Sequence, residues 1–80
     1  MDTDPAPLHL HRFDAARNMA RFYALSLAPT LWGEVALVRR WGRIGTAGRQ
    51  AIDTHPDAEA ALAALHRLAG IKTRRGYTPV

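Results

Sequence analysis

Eighty residues, no cysteine and a formal charge of +4 describe one small basic domain. A second core could not be closed with so little chain, and no disulfide or thiolate metal site supports the first. No apolar run approaches the roughly 20 residues that span a bilayer, and the opening MDTDPAP has neither the basic nor the apolar region of a secretory signal, so a cytoplasmic protein without a membrane partner is expected.

Ten of the eleven basic residues are arginine. Arginine's planar fork suits phosphate and carboxylate, which points to a polyanionic partner; GC-rich coding would produce the same bias.

Met1–Pro7 holds two aspartates and two prolines without periodicity and reads as a loose terminus, leaving residues 8–80 as the domain. Leu8–Phe13 alternates strictly, with Leu8, Leu10 and Arg12 on one face and His9, His11 and Phe13 on the other, which predicts a short edge strand. Asp14–Ala20 is too short for an independent helix and reads as a turn into a second strand, Arg21–Leu27. That strand sets Tyr23, Leu25 and Leu27 against Phe22, Ala24 and Ser26.

Pro29 breaks this strand, and a loop leads to the longest candidate, Glu34–Ile44, with Val35, Leu37, Arg39, Trp41 and Arg43 on one side. Gly45–Gly48 forms a turn, and Arg49–Thr54 returns antiparallel. Asp57 then caps a helix, with Glu59 in its first turn, and Ala58, Ala61, Leu62, Leu65, Leu68 and Ala69 form an apolar stripe. Gly70 need not stop the helix, because Gly76 is the better terminator. Strands followed by one helix make an α+β domain: a small twisted antiparallel sheet of about four strands, with the helix across one face.

Little in this chain suits catalysis. It has one serine, Ser26, inside an apolar strand, and no pair of acids framed by apolar sequence, so no catalytic residue, enzyme activity or cofactor is expected. His9 and His11 share a strand face at a spacing that two metal ligands could use, but no third ligand is signalled, and polar surface is the simpler reading. Gly42, Gly45 and Gly48 do not match a phosphate loop, because a strand rather than a helix follows them. They suit a close backbone approach and positive φ in a turn.

The segment Arg39–Gln50, RRWGRIGTAGRQ, concentrates what remains. Arg39, Trp41 and Arg43 share a face, Arg49 opens the partner strand, and Lys72, Arg74, Arg75 and Tyr77 gather after the helix. Arginine neutralises phosphate and tryptophan can stack on a base or sugar, which is the chemistry of sequence-tolerant nucleic-acid binding. Equally, Trp41 could be core, with the arginines merely stacked on it.

Trp41-Gly42-Arg43 followed by Ile44-Gly45-Thr46, with Arg21-Phe22-Tyr23 opening a strand some twenty residues earlier, Gly48, Ala61 in the helix and Lys72-Thr73-x-x-Gly76-Tyr77, resembles the WGR domain family. The resemblance covers roughly residues 18–77 and implies a small antiparallel sheet with one helix packed across it. WGR domains occur in DNA-dependent poly(ADP-ribose) polymerases, where they bind near the 5′ end at a break and contact neighbouring domains. They also occur in bacterial molybdate-metabolism regulators and as short stand-alone bacterial proteins, which this chain resembles in length.

On that resemblance Trp41 would pack on a sugar or base at a DNA end, and Arg43 would contact phosphate or bridge to a partner domain. Lys72 and Tyr77 match family positions near DNA. No ADP-ribosyltransferase sequence accompanies them, so polymerase activity does not carry over, and Ala20 and Arg21 stand where DNA-holding members often have asparagine. Two functions are expected from these residues: a module that binds DNA ends or breaks, or a module that docks a protein partner with the same edge.

Overall fold

The computed structural model describes residues 7–80. Strands β1 (Leu8–Asp14), β2 (Met19–Pro29), β3 (Val35–Arg43) and β4 (Arg49–His55) precede the helix α1 (Ala58–Arg74) and a last strand, β5 (Thr78–Pro79). Every pairing is antiparallel, and the sheet runs β4-β3-β2-β1-β5. This is the α+β arrangement expected, with one strand more. The loose terminus expected over Met1–Pro7 lies, apart from Pro7, outside the described residues.

Beyond two residues, β5 has no periodicity of its own. It exists because the chain leaving α1 falls beside β1, where it pairs with Leu10 and His11 and where the Val80 amide donates to the His9 carbonyl at 3.0 Å. The expectation that β1 is an edge strand is therefore corrected at its centre. The connection from β1 to β2 also differs: the turn is a single 3-10 turn, Ala15–Arg17, and β2 begins at Met19 because pairing with β1 reaches back that far. Asn18, in the left-handed conformation with φ 50°, makes the reversal.

The register sorts the alternating side chains. Leu10 of β1 stands opposite Tyr23 of β2, which stands opposite Trp41 of β3; Leu25 and Leu37 lie on the same face. Ala64 and Leu65 of α1 close over this face, and Leu10, Tyr23, Leu25 and Leu37 are almost fully buried. The opposite face stays uncovered, which leaves Phe13 and Ile52 largely exposed.

The helix begins as its sequence dictates. Asp57 is the N-cap, its Oδ1 accepting from the Ala60 amide at 2.8 Å, and Glu59 sits in the first turn. Its buried stripe is Ala61, Ala64 and Leu65, with Leu68 and Ala69 packed beside them. Ala58, expected in the stripe, is exposed.

The helix ends in a Schellman arrangement. The Tyr77 amide donates to the Lys72 carbonyl at 3.1 Å, and the Gly76 amide donates to Thr73 at 3.1 Å. Gly76 has φ 99°, the left-handed position this motif requires. The consequence is that the residue after the glycine, Tyr77, is turned into the core next to Lys72.

Candidate nucleic-acid interface

Trp41 lies at the boundary between core and surface. It is half-buried against the core, with its ring 6.5 Å from that of Tyr23, yet its outer side lines an open cavity of about 510 Å³. That cavity is bounded by Arg21, Trp41, Gly42, Arg43, Lys72 and Tyr77. Three cations and three apolar or aromatic surfaces converge there without a carboxylate.

Each wall follows from a local feature. Trp41 and Arg43 are two apart on β3 and so point the same way, and Gly42 between them leaves the far side free of a side chain. Arg21 arrives from β2 because the register places it directly opposite Arg43. Lys72 lies seven residues beyond Leu65 and four beyond Leu68 on α1, on the continuation of the buried stripe, so its stem runs over the sheet. Its ammonium stands 4.6 Å from the centre of the Tyr23 ring and 5.5 Å from that of Tyr77, whose rings meet edge to face at 6.3 Å.

That setting costs Lys72 hydration. Burial pushes its pKa below the ordinary lysine value, and the nearby positive charges of Arg75, Arg21 and Arg39 push it further the same way. A positive charge held at a cost in a cavity lined by other positive charges is relieved by an anion.

Arg39 behaves differently. Its Nε donates to Asp53 Oδ2 at 2.9 Å, and its guanidinium lies 5.6 Å from the centre of the Trp41 ring. The Tyr23 hydroxyl, ahead of Asp53, favours its charged form against the cost of burial. It does not line the cavity, and its own charge is already paired with Asp53.

Arg49 faces Trp41 across the β3–β4 ladder and is exposed on the outermost strand, while Arg74 and Arg75 are exposed at the end of α1. None of these three lines the cavity. The sequence therefore names four of its residues, Trp41, Arg43, Lys72 and Tyr77, and misses Arg21, whose role depends on a register that alternation alone does not supply.

The turn holding the segment is tight. The Ile44 amide donates to the Ala20 carbonyl at 2.9 Å, Thr46 Oγ1 donates to the Arg43 carbonyl at 2.7 Å, and Arg40 Nη2 donates to the Ala47 carbonyl at 3.0 Å. Gly48, with φ 72°, lies against the Trp41 carbonyl and the Phe22 ring with no room for a side chain.

On the uncovered face His11 packs edge to face on Phe13, with ring centres 5.8 Å apart. No group of three or more potential metal ligands occurs among the described residues, nor any helix long and apolar enough to cross a membrane.

Comparison with known proteins agrees with this architecture. The WGR domain model matches residues 6–80. The chain is 42% identical over 79 residues to "Uncharacterized protein y4dW" of Sinorhizobium fredii (strain NBRC 101917 / NGR234), covering 99% of this chain and 39% of that protein. No solved structure matches. With its family match spanning nearly the whole chain, and Trp41-Gly42-Arg43 on the third strand at the mouth of the cavity, the protein belongs to the WGR domain family.

Proposed function

We propose that this domain is a non-catalytic nucleic-acid-binding module that recognises DNA ends or breaks through the Trp41 cavity. The observation that carries the reading is the convergence of Arg21, Arg43 and Lys72 around the half-exposed ring of Trp41, with no acid lining the space. Cations supply phosphate affinity, and an aromatic face with one free side offers stacking to a terminal sugar or base, which an internal, already stacked nucleotide cannot use. Arg39, Arg49, Arg74 and Arg75 contribute the surrounding positive field rather than direct contacts.

The test compares nicked, blunt and single-stranded oligonucleotides with a closed circular duplex at two salt concentrations. Preference for the substrates with ends, lost on combining Trp41→Ala with Arg43→Ala, is the expected result. Absence of binding at low salt, or binding indifferent to that double substitution, rejects the reading in favour of a protein-docking role for the same edge.

A further inference from the structure

A row of arginines crosses the sheet at the end where the cavity lies. Arg12 of β1 stands directly opposite Arg21 of β2, which stands directly opposite Arg43 of β3, all three on the helix-side face. Like charges placed directly across strands repel, and such pairs are ordinarily avoided. Here three stand side by side.

Among the described residues the ion pairs join Arg39 to Asp53 and Arg17 to Asp14, so no carboxylate answers the row. Two of the three lie against backbone. Arg43 Nη1 donates to the Asn18 carbonyl at 3.3 Å. The half-buried Arg12 lies along Gly76, where even a Cβ would come within 3.3 Å of its Nε. The Arg43 contact fixes a guanidinium without neutralising it, and no ion pair among the described residues offsets the charge of Arg12 or Arg21, so the row stays open to an anion.

We infer that Arg43, Arg21 and Arg12 form a phosphate track that leads a nucleic-acid strand from the Trp41 cavity across β3, β2 and β1. This rests on the reading of the cavity as a nucleic-acid site and adds a direction and a length to it. With neighbouring strands ~4.8 Å apart, the row spans about 10 Å, the scale of a few phosphates of one strand. A strand whose end is held at Trp41 leaves toward Arg12, beside the Schellman turn at Gly76.

The 80-residue chain tests this with a nicked duplex and, separately, with inorganic tripolyphosphate. Arg12→Gln should reduce the magnitude of the slope of log K against log salt by about 0.9, one phosphate contact, while keeping the preference for ends; Arg12→Lys should recover most of the slope. Tripolyphosphate should raise the melting temperature of the natural protein more than that of Arg12→Gln or Arg21→Gln.

An unchanged slope in Arg12→Gln, while Trp41→Ala still abolishes binding, overturns the track and leaves the cavity reading standing. Failure of the natural protein to bind DNA, with the tripolyphosphate effect intact and dependent on Arg12, overturns the nucleic-acid reading and with it the track as a DNA path. Equal tripolyphosphate stabilisation of natural and substituted proteins overturns the row as an anion site.

Discussion

The backbone of Gly48 is pressed against the carbonyl of Trp41, so the turn after β3 is folded directly beneath the tryptophan that lines the cavity. Gly42 meets the same turn: a Cβ there would stand 2.8 Å from the Gly48 Cα. Backbone has no freedom to move aside as a side-chain end does. Gly48→Ala must therefore open the turn and adopt a left-handed conformation, at an expected cost of about 2 kcal/mol. In a domain of this size that lowers the midpoint of thermal unfolding by roughly 8–16 °C. A change under about 3 °C would mean the turn relaxes without strain.

Arg39 and Arg43 share a face but not a role, and substitution should separate them. Arg39→Gln breaks a partly exposed pair with Asp53, which calls for a stability loss of about 0.5–1 kcal/mol and a small change in DNA affinity. Arg43→Gln should leave stability nearly unchanged and weaken DNA binding at low salt by at least several-fold. Paired denaturant titrations and fluorescence anisotropy measurements check both halves, and equal losses of affinity would contradict the division.

Lys72 supplies a pH dependence whose sign follows from its lowered pKa. Between that lowered value and the ordinary value of 10.5 the unfolded chain binds more protons than the folded one, so this group makes the folded state more stable as pH rises through the window. An anion in the cavity favours the charged lysine, so DNA affinity should fall as pH rises through the same range. Lys72→Met should flatten the difference on both counts. The comparison to measure is the affinity and the urea midpoint of the two proteins at neutral and alkaline pH; parallel profiles would remove Lys72 from the site.

Leu25 lies at the centre of the sheet with none of its surface exposed, beneath the helix. Leu25→Ala should cost 2–5 kcal/mol. With a core this small and no disulfide, that is a large share of the total stability, and circular dichroism at 37 °C should show a substantially unfolded population. Retention of a sharp transition within a few degrees of the natural protein would show that Ala64 and Leu65 collapse into the space.

Much of the fold was legible because its signals are local. The alternation of Val35 to Arg43, the Asp57 cap, the alanine and leucine stripe and the Gly76 stop each reflect a period or a cap within a few residues. β5 was not legible, since Thr78 and Pro79 become a strand only where α1 delivers them to the side of β1. The same holds for the boundaries of β2, which pairing extends past its apolar run at both ends.

The site divides along the same line. The sequence by itself determined that Trp41 and Arg43 share a face, because side chains of a strand alternate, and that the helix ends near Lys72, because Gly76 admits a left-handed turn. Only the tertiary structure decided which charges are free: pairing across strands set Arg21 beside Arg43 and Arg12 beside Arg21, gave Arg39 to Asp53, and left Arg49, Arg74 and Arg75 outside the cavity. Register and packing join residues far apart in the chain, and no pattern within one strand records which residue will stand opposite.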